Sequence, residues 1–326
     1  MKIAVTGAAG HVGCNLIRAL LKDDEHKIRV LQYHDHKALD GLDIEIVEGD
    51  LHQPETLIGF CSGIDVLFHL ASKISIGSNS YESIYQTNVQ GTKNLVLAAQ
   101  NAGIKRYIHF SSIHALIHQP FDEMMDESRG LATHSSIAYE KTKSLAEEWV
   151  LTQKSDAFEV LVLNPTSIIG PADYKPSLMG QLLIRLYNNS LPALVPGGYD
   201  WVDVRDIVKS AISAIKNGKS GESYILSGNW TTVKELADVL AEVNNIKINK
   251  PIFPIWLARI GVPFIHIWSK VMGQHPLYTN ESLTILQSGN KNISHQKAAK
   301  DLGHTARPLA ETLKDAIDWF KENKYI

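Results

Sequence analysis

A glycine-rich turn set between an apolar strand and an amphipathic helix constrains this chain more than any other feature. Lys2, Ile3, Ala4 and Val5 lead straight into Thr6-Gly7-Ala8-Ala9-Gly10-His11-Val12-Gly13, after which Val12, Leu16, Ile17, Leu20 and Leu21 recur at helical spacing. Such a turn gathers backbone N–H groups at a helix N-terminus, where unpaired donors and the helix dipole favour an anion such as a pyrophosphate. Gly7 permits the tight turn, Gly10 lacks the side chain that would block a phosphate, and Gly13 lets helix and strand approach closely. A glycine triplet alone often marks a plain turn; between a strand and a helix it points to a dinucleotide.

The alternation continues down the first half. Residues 28–31, 44–47, 66–70, 107–110 and 160–163 are short and rich in Val and Ile, and helical patterns cover 12–21, 54–60, 81–102 and 136–152. Strand-helix repetition implies right-handed crossovers and an α/β fold with a doubly wound, Rossmann-type parallel sheet. After Asn164-Pro165 the texture changes: Pro171, Pro176, Pro192, Pro196, Gly197 and Gly198 predict loops around a helix near 177–189. A helix over 204–216 and a strand over 224–226 are expected to return to the sheet, with further helices near 232–243 and 309–322. Residues 1–165, with 201–228 returning, are therefore expected to bind the nucleotide, and 166–200 with 229–326 to form a smaller, mostly α region that selects the substrate.

Composition narrows the partners. In 326 residues, 32 Lys+Arg against 35 Asp+Glu give a net charge of −3, so nothing electrostatic calls for nucleic acid or an anionic membrane. Cys14 and Cys61 cannot build a disulfide framework and suit a reducing cytoplasm, and the immediate apolar run leaves no room for a signal peptide. The apolar stretch 251–268 carries three prolines, Gly261, Arg259 and His266; it reads as a buried or pocket-covering segment and not as a span. The 14 histidines lack H-E-x-x-H, paired cysteines or an acidic cluster, so no metal is expected. His69 reads as a core histidine, His114 and His118 as surface residues more than substrate contacts, and Glu147 and Glu148 as a solvated helix face. No G-x-S-x-G elbow supports a hydrolase.

Two further clusters bear on chemistry. At the end of the second strand Gln32 stands where an NAD site places a carboxylate for the ribose 2′-OH, and Asp35 falls late. His34, His36 and Lys37 suit a 2′-phosphate, which favours NADP slightly and leaves NAD open. In Tyr139-Glu140-Lys141-Thr142-Lys143, Tyr139 and Lys143 lie four apart on one helix face. A phenol titrates near 10 and needs help at neutral pH; a cation within about 4–6 Å lowers a partner's pKa by about 1–3 units. Ser111 and Ser112, ending the fifth strand, supply hydroxyls to orient a carbonyl oxygen.

Taken in order, TGAAGHVG (6–13), VEGDL (47–51), VLFHLAS (66–72), TNVQGTKNL (87–95), FSS (110–112), YEKTK (139–143), NPTSIIGP (164–171), GESYILSG (221–228) and the segment 297–320 resemble the extended short-chain dehydrogenase/reductase superfamily over nearly the whole chain. Within it the chain is similar to bacterial dihydroflavonol-reductase-like and NAD-dependent epimerase/dehydratase proteins, including the group described as hopanoid-associated sugar epimerases. The resemblance implies Tyr139 as general acid/base, Ser112 as the carbonyl-orienting hydroxyl, Lys143 as the residue that binds the nicotinamide ribose and lowers the phenol's pKa, and Asn88 as support. It implies cofactor contacts at Thr6, Gly7, Gly10, His11, Val12 and Gly13, at Gln32, Tyr33 and His34, and at Asp50 and Leu51 beside the adenine. Leu70, Ser111, Tyr139, Lys143, Asn164 and Ile168 would also contact the cofactor, Ala71 and Ser72 would line its path, and Pro165 would begin the loop over the nicotinamide.

Two departures stand out. The acid or arginine usual after the second strand is absent, and Ile113-His114-Ala115-Leu116-Ile117 replaces the V-Y-G sequence common in sugar epimerases, which is closer to the reductases. The resulting expectation is an NAD(P)-dependent oxidoreductase acting on a ketone or aldehyde, or the alcohol, of a small, partly apolar molecule. A nucleotide-sugar epimerase or dehydratase and a non-enzymatic NAD(P)-binding redox sensor are the alternatives. By resemblance a cytoplasmic homodimer pairs through helices 81–102 and 136–152, although Leu95, Ala98, Ala99, Leu145 and Trp149 equally suit this chain's own sheet. Residues 171–201 and 252–277 are expected to shape the substrate pocket.

Overall fold

In the computed structural model, which describes residues 1–22, 25–32, 37–74, 80–260, 283, 284, 286 and 289–326, the apolar runs become one parallel sheet. Its seven strands are β1 (Lys2–Thr6), β2 (Lys27–Gln32), β3 (Glu45–Glu48), β4 (Val66–His69), β5 (Arg106–Phe110), β6 (Glu159–Pro165) and β9 (Ser223–Leu226), in the order β3-β2-β1-β4-β5-β6-β9. The order reverses between β1 and β4, which opens a crevice at the carboxyl ends of those strands. Successive side chains point to opposite faces, and both faces are covered. Ile3 and Val5 pack with Leu16, Ile17 and Ala211 on one side; Ala4 and Leu67 pack with Leu57, Phe60 and Leu95 on the other.

Helix α1 (His11–Leu20) lies beside α7 (Val204–Asn217) on the first face. On the second lie α2 (Pro54–Cys61), α4 (Thr92–Asn101) and α5 (Ala138–Leu151). Leu95 and Ala99 are completely buried in that core, so they serve this chain's own sheet. The helix expected over 81–102 is not uniform. After α3 (Tyr81–Tyr85) a π-helical turn spans Gln86–Gly91, and α4 follows. The Thr92 hydroxyl bonds back to the Asn88 carbonyl at 2.7 Å, the kind of local competition that distorts a helix.

The stretch expected as loops after Pro165 holds a second, three-stranded sheet: β7 (Ser167–Ile169), β8 (Gly198–Asp203) and β10 (Asn229–Thr232), with β8 central. It covers a separate core of Leu182, Leu186, Trp201, Leu236, Ile317 and Phe320, contributed with β8 by α6 (Leu178–Tyr187), α8 (Val233–Asn244) and the C-terminal helix Leu309–Glu322. Asp203 caps α7 through the Arg205 N–H at 2.8 Å and accepts two further bonds from the Arg205 guanidinium, while Arg307 bonds Asp206.

Of the apolar stretch 251–268, only 251–260 lies within the described residues. That part is not buried: Ile252, Phe253, Trp256, Leu257 and Ile260 are exposed, and Ile255 alone of its large apolar residues is inside. Among the described residues no helix is long and apolar enough to cross a membrane. Tyr33 and His34 fall outside the described residues.

Candidate active site

The glycine turn is closed as a phosphate cradle requires. Gly7 has φ +70°, and a Cβ there would sit 2.6 Å from the Ala71 nitrogen; a Cβ at Gly13 would run into the Gly7 carbonyl oxygen. Helix α1 starts behind Gly10 with no side-chain cap and no acidic residue in its first turn, and its first intrahelical bond is Cys14 N–H to Gly10 O at 2.9 Å. The N–H groups of His11, Val12 and Gly13 precede that bond and lack an intrahelical acceptor. The donors and the missing Cβ atoms fit the pyrophosphate of a dinucleotide. The His11 ring turns aside to the Pro171 carbonyl at 3.0 Å.

Around the turn, the residues expected to contact the adenosine come from strand ends. Gln32 is buried at the end of β2, and its carbonyl accepts the Gly49 N–H at 3.1 Å. Asp50 follows β3 and accepts the His52 N–H; Leu51 is buried, its carbonyl accepting from Asn94 at 2.8 Å. Thr6, His69 and Ala71 are joined: Ala71 N–H donates to Thr6 Oγ1 at 3.3 Å, and Thr6 Oγ1 meets His69 Nδ1 at 2.7 Å. His69 is the satisfied core histidine its strand predicts, its Nε2 lying 2.9 Å from the Thr92 hydroxyl.

The reactive side gathers at the end of β5. Ser111 and Ser112 are both buried there, and Leu70, Ala71 and Ser72 lie on the neighbouring loop after β4. The Ser112 hydroxyl, which accepts the His114 N–H at 3.2 Å, stands near the Tyr139 phenol; burial pushes the phenol's pKa up, and the nearby hydroxyl opposes the rise. Lys143, one turn further along α5, is 3% exposed and donates to the Phe110 carbonyl at 2.6 Å. Burial pushes its pKa down to about 8, against the charge of Glu147. Asn88 sits in the π-helical turn and knots the site. Its Oδ1 accepts from Ser72 and from Lys73 N–H, and its Nδ2 donates to the Lys73 carbonyl and to Thr142.

Two expectations fail here. Glu148 is exposed, but Glu147 is 1% exposed and turned into the molecule. It accepts from Asn164 Nδ2 at 2.7 Å and from Ser223 Oγ at 3.0 Å. A signal existed: Tyr139, Lys143 and Glu147 are spaced four and four, so a helix that turns the first two inward turns the third inward as well. Asn164 is completely buried and also donates to the Ser112 carbonyl at 3.2 Å, so its side chain points under the site; Pro165 ends β6 and Ile168 is half-buried in β7. His114 and His118, expected at the surface, stack at 5.2 Å between ring centres, and His114 stands edge-on to Tyr139 at 6.4 Å. Both are half-buried, with Glu140 Oε1 3.9 Å from His114 Nδ1, and desolvation pushes their pKa values down to about 3 and about 4. They line a cavity of about 390 Å³ with Leu116, Ile117, Leu131, Ile137 and the polar Gln119 and Glu140; among the described residues that line it there is no Lys or Arg.

The model of the NAD dependent epimerase/dehydratase family matches residues 3–227, which hold all of the main sheet but Lys2, together with the turn, Asn88, Ser112, Tyr139, Lys143 and Glu147. The chain belongs to this family. Its relatives within and around the family include a sterol demethylase protein B from Methylococcus capsulatus, 30% identical over all of both chains. A 4-hydroxy-2-methyl-3-oxo-4-farnesyl-3,4-dihydroquinoline-1-oxide ketoreductase from Stigmatella aurantiaca is 27% identical, over 97% of this chain and 96% of that one. The fold is also that of UDP-glucuronic acid 4-epimerase from Bacillus cereus, solved with UDP-glucuronic acid and NAD: TM-score 0.79, 18% identity, covering 99% of this chain and 100% of the other. A family of NAD-dependent enzymes whose relatives include reductases accounts for the cradle.

Proposed function

We propose that this family member is an NAD(P)-dependent reductase of ketones or aldehydes on a neutral, largely apolar body, working in reverse as an alcohol dehydrogenase. The observation that carries the reading is the Tyr139 phenol, with Ser112 close by and His114 edge-on to it, beside a cavity whose walls are largely apolar (Leu116, Ile117, Phe121, Leu131 and Ile137), with His114, His118 and Glu140 among its polar groups. A sugar-nucleotide diphosphate would need cations where this cavity has none among the described residues. The names of two relatives, a sterol demethylase protein and a farnesyl-quinoline ketoreductase, support the same reading.

When bound, the nicotinamide supplies or accepts the hydride. Tyr139 donates its phenolic proton to the carbonyl oxygen, and Ser112 holds that oxygen in place, a general acid paired with a fixed donor. The Lys143 ammonium has three donors; the Phe110 carbonyl takes one, and the others serve the ribose hydroxyls while the charge favours the phenolate that remains. Residues 1–165 hold the cofactor, with Gln32 admitting a 2′-phosphate and favouring NADP, and the region after Pro165 closes over the substrate. The test is reduced-nicotinamide absorbance with a panel of alkyl and polycyclic ketones, run beside UDP-glucose. Consumption of NADPH with apolar ketones supports the reading. Interconversion of UDP-sugars with no net change in NADPH overturns it in favour of an epimerase.

A further inference from the structure

Glu147 is a buried carboxylate with no role in the chemistry above. It lies one helical turn beyond Lys143 on the same face of α5 and is fastened by strands on the far side: Asn164 of β6 donates to Oε2 and Ser223 of β9 to Oε1. The same Asn164 amide reaches the Ser112 carbonyl, so the carboxylate is tied to the backbone of the carbonyl-orienting serine. A buried carboxylate needs hydrogen bonds and a nearby opposite charge. Asn164 and Ser223 supply the bonds, and Lys143, four residues earlier and buried on the same face of α5, supplies the charge without forming an ion pair within 4 Å.

We propose that Glu147 is the positioning residue of the catalytic lysine: clamped by Asn164 and Ser223, its carboxylate keeps Lys143 an ammonium at the end of β5, beside Tyr139. This rests on the reading of Tyr139 and Lys143 given above. The other titratable groups facing Lys143 do not supply that charge. His69 on β4 and His109 on β5 are held neutral by burial, with the lysine's own charge adding to the effect, and Tyr139 is held protonated by burial. Burial alone drives the lysine toward the free amine, and Glu147 is the counterweight.

The experiment is the pH dependence of NADPH affinity, followed by nicotinamide fluorescence from about pH 6 to about pH 10, in the wild type and in Lys143→Met, Glu147→Gln and Glu147→Asp. Charge-assisted bonds to ribose hydroxyls are about twice as strong as neutral ones, so wild-type affinity falls as Lys143 loses its proton. Glu147→Gln keeps the side chain's size and removes the charge; it is expected to move that fall about one pH unit lower. Glu147→Asp keeps the charge and is expected to leave the fall where the wild type has it. A purely structural Glu147 predicts the opposite order, since Asp loses reach and Gln does not. If Lys143→Met keeps the fall, the ionisation is not the lysine's, and both this inference and the Lys143 reading fail. If Lys143→Met abolishes it and Glu147→Gln leaves it unmoved, only the present inference fails. Should Glu147→Gln not fold alone, the double variant Lys143→Met/Glu147→Gln decides. Recovery of the folded state supports the pairing, and an unfolded double variant overturns it.

Discussion

Protonating His69 should loosen the joint between the cofactor turn and the catalytic helices. The hydrogen count fixes its state. Thr92 spends its hydroxyl proton on the Asn88 carbonyl, so it accepts from His69 Nε2–H; Nδ1 is then left to accept the Thr6 hydroxyl proton, while Thr6 Oγ1 accepts Ala71 N–H. Only the neutral Nε2–H imidazole satisfies every partner. Burial, and to a lesser degree the Lys143 charge, lower the pKa from 6.5 to about 3. The folded pKa is therefore below the unfolded one. The group's contribution is complete above pH 6.5 and drains away as the pH falls from there toward 3. The loss is about 1.4 kcal/mol per pH unit, so roughly 2–3 kcal/mol is gone at about pH 4.5, against a total stability on the order of 5–15 kcal/mol. The assay is urea unfolding of the wild type and His69→Gln across this window. In the difference between the two, His114 and His118, which act in the same sense, cancel. That difference should shrink by roughly 2 kcal/mol between about pH 6.5 and about pH 4.5. A difference that stays constant refutes the reasoning.

Other predictions follow from the same site. Gly13→Ala forces a Cβ against the Gly7 carbonyl; it should cost about 1–3 kcal/mol in urea and remove the thermal stabilisation by NADPH, which would persist if the turn were not the pyrophosphate cradle. Gln32→Glu puts a carboxylate at the end of β2 and should shift the ratio of NADPH to NADH dissociation constants about tenfold toward NADH; an unchanged ratio removes Gln32 as the selector. Asp203→Ala leaves Arg205 and Arg307 without their shared carboxylate and should cost about 2 kcal/mol in urea melts without changing NADPH affinity.

Much of the frame was legible because its causes are local. Residues 2–13 carry strand, turn and helix in one stretch, and Ile3, Ala4 and Val5 are apolar at consecutive positions because both faces of β1 are covered. The small sheet was not legible. Ser167–Ile169 and Asn229–Thr232 are short and half polar, and each pairs only with a strand far away in the chain. The π-helical turn at Gln86–Gly91 had no compositional mark; it depends on where the Thr92 hydroxyl and Leu51 meet it. Glu147 was misread because an acid four residues from a lysine ordinarily forms a solvated pair, and only the approach of Asn164 and Ser223 makes this one interior. His114 and His118 were misplaced for a like reason: nothing in their own neighbourhood says that Leu131 and Ile137 will fold over them.

The most direct test of the account is the rate of NADPH consumption with an apolar ketone, compared between the wild type and Tyr139→Phe at matched cofactor occupancy. A proton donor of this kind is worth about 10²–10⁴-fold, so the variant should bind NADPH as tightly as the wild type and turn over at least about a hundred times more slowly. A variant that binds NADPH normally and reduces the ketone at the wild-type rate would contradict the assignment of the phenol.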